Sequence, residues 1–234
     1  YDISNPSNLV RTGSNLITGV TQTFAVKINR NYAYVLAHNN KVYVYSLSTA
    51  SNPVLRASYA VAGAQELSDI AFYQNYAYVS DSYTGYPQGA PRLFVLNLAN
   101  PESPSLMNSL VVTEPSHLAV SASKKALFVD SSGSTVAFDL NNAASPAFMG
   151  SVYDAKASTT LWKGTGGGKL LWADPVYLYA GGAFNGLQIN TIKYDAQDNA
   201  GFRVLSRKVN NGMGDEQTYS YSYANGNKDT PYDE

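Results

Sequence analysis

Asn31-Tyr32-Ala33-Tyr34-Val35 returns as Asn75-Tyr76-Ala77-Tyr78-Val79, and this echo decides the fold. Looser copies follow at Lys125-Ala126-Leu127-Phe128-Val129 and Pro175-Val176-Tyr177-Leu178-Tyr179. The aligned residues Ala33, Ala77, Leu127 and Tyr177 stand 44, 50 and 50 residues apart. A period of roughly 40–50 residues is the length of one four-stranded propeller blade. A second phrase keeps step with the first. Val42-Tyr43-Val44-Tyr45-Ser46-Leu47 runs on to Ser51-Asn52-Pro53, and Leu93-Phe94-Val95-Leu96-Asn97-Leu98 to Asn100-Pro101. Val136-Ala137-Phe138-Asp139-Leu140 leads to Ser145-Pro146, and the chain itself opens on the same phrase, Asp2-Ile3-Ser4-Asn5-Pro6. A strand closing on a small polar residue and then Asn-Pro or Ser-Pro reads as strand, then turn. Asn and Ser bond their own backbone, and Pro cannot donate to a ladder.

Read outward, each repeat divides into four short strands. In the first these are residues 24–28, 32–37, 41–47 and 54–61, with Asn39-Asn40 as the tight link between the second and third. The blades are expected over about 23–62, 67–112, 116–153 and 169–209. The second carries a longer link at residues 81–91, whose Gly85, Pro87 and Gly89 suit a projecting loop. No segment reads as a helix. Residues 1–22 supply the outer two strands of a partial blade, and 217–224, alternating polar and aromatic, fits a closing strand. The propeller repeats thus span 1–224, and 225–234 is a polar tail or linker. Two closures stay open: five blades within this chain, or part of a ring of six to eight. The chain begins at Tyr1 without a Met or a signal peptide. It is therefore expected to have lost a leader or to be a piece of a longer chain.

These repeats resemble the LVIVD repeat of bacterial and archaeal surface-associated propellers. The resemblance rests on the strands at 31–35 and 75–79 and on the phrase Asp2-Ile3-Ser4-Asn5-Pro6, and it covers about residues 1–190. Tyr45-Ser46-Leu47 and Leu96-Asn97-Leu98 depart from the aspartate-bearing phrase usual in the family, and the fourth repeat matches poorly. The resemblance implies an all-β propeller and points to a non-enzymatic surface or scaffold role.

Composition narrows the function classes. Charged residues make up 14% of the chain and the net charge is −1, so the electrostatic footprint of a nucleic-acid binder is missing. No apolar run approaches the roughly 18 residues of a membrane helix. The absence of cysteine excludes disulfides, thiolate metal sites and a thiol nucleophile. Nineteen tyrosines, with abundant Ser, Asn and Gly, fit an extracellular or cell-surface setting.

Candidate chemistry is sparse. The only histidines are His38 and His117, and neither lies near a nucleophile elbow. His38 reads as an exposed turn residue. Aligning the innermost strands puts Ala25, Asp69, His117 and Lys169 at one equivalent position. Near a channel mouth, Asp69, His117 and Lys169 form a candidate ligand-binding set; the alternative is a solvated polar rim. Asp81 and Asp130 end the second strands and read as turn caps before a catalytic pair. Tyr83 and Tyr86, on the long loop, are candidate partner contacts, while most other tyrosines are expected between blades. No cofactor or metal site is expected. Calcium is the one ion weighed, on the weak oxygen-rich pattern of residues 225–234.

The expectation is a non-catalytic extracellular or cell-surface propeller that binds protein or glycan, or self-associates, without nucleic acid or a membrane span. Two alternatives accompany it: a propeller enzyme or small-ligand or metal binder at the channel mouth, and a structural subunit of an extracellular assembly.

Overall fold

A computed structural model describes residues 7–8, 10, 17, 19–49, 51–83, 91–131, 134–152, 170–173, 177–182, 186–193, 203–210 and 216–220. They form seventeen strands and no helix. The first sheet is β1 (Thr23–Asn29), β2 (Tyr32–Ala37), β3 (Lys41–Ser46) and β4 (Val54–Ala60). The second is β5 (Leu67–Tyr73), β6 (Tyr76–Asp81), β7 (Pro91–Asn97) and β8 (Ser105–Val111). The third is β9 (Pro115–Ser121), β10 (Ala126–Ser131), β11 (Ser134–Asp139) and β12 (Ala147–Val152). The last is β13 (Leu170–Ala173), β14 (Tyr177–Gly182), β15 (Gly186–Lys193), β16 (Arg203–Asn210) and β17 (Glu216–Ser220). Within every sheet the strands lie side by side in chain order, and the registered pairs are antiparallel. The chain divides into two compact units, residues 1–116 and 117–234.

The repeated phrases fall on the middle strands of each sheet, and burial explains their composition. β3 is buried from Val42 to Ser46, β7 from Arg92 to Leu96, and β10 along its whole length. A strand covered on both faces reads as a continuous apolar run, whereas β4 and β8 are mostly exposed and read as mixed. In the first unit one core holds Tyr34, Leu36, Val42 and Val44 of the first sheet against Ile70, Ala77, Val79, Phe94 and Leu96 of the second. The second unit has its own cluster around Phe128, Ala119, Ala126 and Ala137, with Ala173 of β13.

Two devices recur beneath the sequence repeat. The third and fourth strands slip register at Val44/Tyr45, Val95/Leu96, Ala137/Phe138 and Asn190/Ile192, a bulge that adds local twist in every sheet. The residue after the third strand donates its N–H to the turn between the first and second: Leu47 to Asn31 O, Leu98 to Asn75 O and Leu140 to Lys125 O, each at 2.7 Å. The polar residue closing the third strand then starts the next turn, with Asn97 Oδ1 accepting from Ala99 N–H at 2.8 Å and Asp139 Oδ1 from Asn141 N–H at 2.7 Å.

At its far end the chain adds a strand beyond the four expected there. Residues 216–220 pair with β16 from Ser206↔Ser220 to Asn210↔Glu216, and that is the described partner of the segment read as a closing strand. Residues 221–224, the tail 225–234 weighed for calcium, and most of 1–22 lie outside the described residues.

Candidate functional site

The third residue of each innermost strand is the position singled out by the repeat, and the fold keeps it equivalent. Ala25, Asp69 and His117 each stand third in β1, β5 and β9. Lys169 lies outside the described residues. Asp69 belongs to the first unit and His117 opens the second. Each of the two has a charged partner on another strand of its own unit.

Asp69 is 6% exposed, and Lys27 Nζ of β1 stands 2.6 Å from its Oδ1. A buried carboxylate needs such a counter-charge, since an unpaired ion in the interior is costly. Lys27 ties β1 to β5 and neutralises the acid that was expected to face a ligand. Beside this pair lies a knot of hydroxyls. Ser80 Oγ accepts from Asp69 N–H at 3.1 Å, lies 2.8 Å from Ser68 Oγ and 2.9 Å from Ser116 O; Ser68 Oγ donates to the same carbonyl at 3.1 Å. Lys27 and these serines were missed on sequence. The signals available were a lone charge inside the apolar strand 24–28 and a Ser directly before both Asp69 and His117.

At the equivalent place in the third sheet, His117 faces Asp130 of β10. Its Nδ1 is buried without a hydrogen bond, and Asp130 Oδ2 at 3.9 Å is beyond hydrogen-bond reach but within ion-pair range for an imidazolium. The His117 side chain is 38% exposed, so the ring sits partly in solvent with a carboxylate behind it.

Asp81 has a different task from catalysis. It is fully buried and accepts three backbone N–H groups: Gln65 at 2.6 Å, Glu66 at 3.0 Å and Tyr83 at 3.0 Å. This clasp fixes the base of the long loop and leaves the carboxylate committed, as expected of a turn cap. Tyr83, immediately beyond it, is 40% exposed. Tyr86 lies outside the described residues. His38 is an exposed turn residue, with Nε2 3.3 Å from Thr21 Oγ1.

The other described tyrosines are mainly structural. Tyr34 and Tyr78 are almost wholly buried, and Tyr34 packs its ring on Phe72 of the next sheet at 4.8 Å between centroids. Burial pushes the Tyr34 phenol up from 10.0 to about 12 and the Tyr78 phenol higher still. Tyr32 is raised as well, by desolvation first and then by its hydrogen bond to Glu102 Oε1 at 3.2 Å. Among the described residues no cluster of three His, Asp or Glu is placed to hold a metal ion.

Comparison with known proteins agrees with this architecture. The LVIVD repeat matches residues 1–16 and 22–61. Among solved structures, the chain is similar to a functionally unknown protein from Desulfotomaculum acetoxidans at 15% identity and a TM-score of 0.56, covering 79% of this chain and 61% of that one. A Lactobacillus plantarum protein matches at 15% identity and a TM-score of 0.56, over 84% of this chain and 66% of that one. The periplasmic gluconolactonase of Pseudomonas aeruginosa matches at 14% identity and a TM-score of 0.58, over 85% of this chain and 57% of that one. The chain thus spans less than two thirds of these structures, and at such identity they speak for the fold alone. No curated protein matches the sequence. The fold class is all-β, with the sheet architecture of a β-propeller.

Proposed function

We propose that this chain is a non-catalytic propeller module at a cell surface or outside the cell, presenting a loop to a protein or glycan partner. The observation that carries the reading is the contrast around Asp81. Two of the acids weighed on sequence are engaged internally, Asp69 by Lys27 and Asp81 by three backbone amides, while the same clasp sets an exposed Tyr83 at the root of the long link at 81–91. An aromatic on a firmly based loop offers a large contact area at low entropic cost. Low charge and absent cysteine fit the setting. The test is a binding screen of the chain against surface polysaccharides and purified surface proteins, repeated with Tyr83→Ala and Tyr86→Ala together. Binding should weaken about tenfold or more. A partner bound equally well by the double variant would remove this loop from the reading.

A second reading has one observation behind it. His117, part-exposed with Asp130 behind its Nδ1, has the makings of a polar-ligand contact at an inner-strand end. One solved neighbour is a periplasmic gluconolactonase, so an aldonolactone is a sensible first probe. This reading expects the lactone to raise the melting temperature of the wild-type chain and His117→Ala to abolish the rise. A structural subunit of an extracellular assembly is the third reading; it expects the chain to self-associate without any added ligand.

A further inference from the structure

The first and second sheets leave their second strands through the same backbone bond and then diverge. His38 N–H donates to Gln22 O at 3.1 Å, and Ser82 N–H donates to Glu66 O at 2.9 Å. The places match, since β1 begins directly after Gln22 as β5 begins directly after Glu66. In the first sheet the polar side chains around this bond pair with their own neighbours. Thr21 Oγ1 stands 3.3 Å from His38 Nε2, and Asn39 Nδ2 donates to Tyr43 Oη at 2.8 Å. Ala37, which ends β2, adds no polar side chain.

In the second sheet Asp81 stands where Ala37 stands in the first. Its carboxylate gathers the N–H groups of Gln65, Glu66 and Tyr83, so these three side chains leave the backbone around one buried anchor. All four residues belong to the first unit. Gln65 is exposed, Glu66 half-buried and Tyr83 40% exposed. Among the described residues neither the Gln65 side-chain amide nor the Glu66 carboxylate has a hydrogen-bond or ion-pair partner. Arg92, one rung beyond the Ser80↔Leu93 pair, is buried and forms no ion pair with Glu66. A half-buried carboxylate without a counter-charge has lost part of its hydration with nothing to offset the loss. The exposed phenol ring rooted beside it carries a negative face. Carboxylate, ring face and amide carbonyl are all electron-rich, and together they suit a cation.

We infer that Gln65, Glu66 and Tyr83 form a recognition site for a single lysine or arginine side chain presented by a protein partner. Glu66 supplies the counter-charge, Tyr83 the ring face for a cation–π contact, and the Gln65 carbonyl an acceptor. The Asp81 clasp fixes their backbone beforehand, so little order is lost on binding. A basic side chain fits better than an amino sugar. One carboxylate and one amide suffice for a cationic tip on a slender stem, and are too few for the several hydroxyls of a sugar ring. The inference rests on the reading of the link at 81–91 as a contact loop, and narrows its partner from protein or glycan to a basic protein segment.

The test is a nuclear magnetic resonance titration of the whole chain with N-acetyl-arginine amide, whose only charge is the guanidinium. The backbone amide signals of Gln65, Glu66 and Tyr83 should shift saturably, with a dissociation constant in the millimolar range of a single side chain. N-acetyl-glutamine amide, the uncharged control, should leave them unmoved. Glu66→Gln, and separately Tyr83→Ala, should weaken binding on the order of fivefold. The Glu66 variant keeps its backbone bond to Asp81, and an unchanged melting temperature checks that it folds. The inference is overturned if the arginine amide moves none of these signals, if the glutamine amide moves them equally, or if Glu66→Gln binds as tightly as the wild-type chain. Glucosamine binding in place of the arginine amide would overturn it too, and give the site to a glycan. The loop reading is judged separately. A partner from the binding screen that is lost on substituting both Tyr83 and Tyr86 but kept by Glu66→Gln sinks this inference alone; one kept by both variants sinks the two together.

Discussion

β2 and β6 share a run of sequence, Tyr-Ala-Tyr-Val, and lead very similar lives; the strands before them, β1 and β5, do not. Ile70 is fully buried while its counterpart Val26 is 61% exposed. The second strands β2, β6 and β10 are buried along most or all of their length, so their composition is dictated and the phrase recurs. The first strand depends on what packs against one particular face. Pleat, pairing and turn come from the repeat itself, whereas burial at β1 and β5 comes from the neighbour.

The widest gap should appear on truncation. Tyr78→Ala should cost about 3–5 kcal/mol, because a fully buried ring leaves a cavity. Ile28→Thr should stay within about 0.5 kcal/mol, because the side chain faces solvent. Urea unfolding of both variants would measure this, and equal costs would break the comparison. Next comes the sixth place of the second strand, Ala37 in one sheet and Asp81 in the other. Asp81→Ala leaves three backbone amides to find new acceptors and should cost about 2–4 kcal/mol. Proteolysis at residues 84–90 should also accelerate, which a merely local packing loss would not cause. Smaller is the effect of Lys27→Met. Because Lys27 is partly exposed, the loss should be about 1–2 kcal/mol, and Asp69→Asn in the same background should recover part of it. A double-mutant cycle gives the coupling.

The smallest effect is confined to alkaline pH. Tyr34, raised to about 12 in the folded chain against 10.0 for an ordinary phenol, keeps its proton where the unfolded chain loses it. The folded state then binds more protons, so stability falls as pH climbs from 10 toward 12. Tyr34→Phe should flatten that limb and leave neutral stability almost unchanged. An identical alkaline slope in the variant would show that other phenols, Tyr78 among them, carry the effect.

Much of the fold was legible because it is local. The strand at 32–37 was read to the residue and its neighbours to within one, since buried middle strands write their apolar runs directly into sequence. The caps were legible for the same reason: Asn97, Asp139 and Asp81 act on amides close by in the chain or in the adjoining turn. The candidate site was less legible. Asp69 could be aligned with His117, but nothing nearby in sequence announces that Lys27, forty-two residues earlier, reaches its carboxylate. Side chains that meet across sheets leave no periodic trace. The exposure of Val26 and Ile28 was not legible for a related reason, because an alternating apolar strand looks the same in sequence whatever packs on it.

The bond from Leu47, Leu98 and Leu140 back to the turn of the same sheet has a consequence for descent as well as for shape. Each of these three repeats meets the backbone demand at its own third-strand exit with an acceptor it carries itself. A duplicated copy therefore arrives with that joint already made, and a deleted one orphans no amide in the copies that remain. Lengthening or shortening such a chain by whole repeats is a small step, which suits an architecture whose members differ in how many copies they string together.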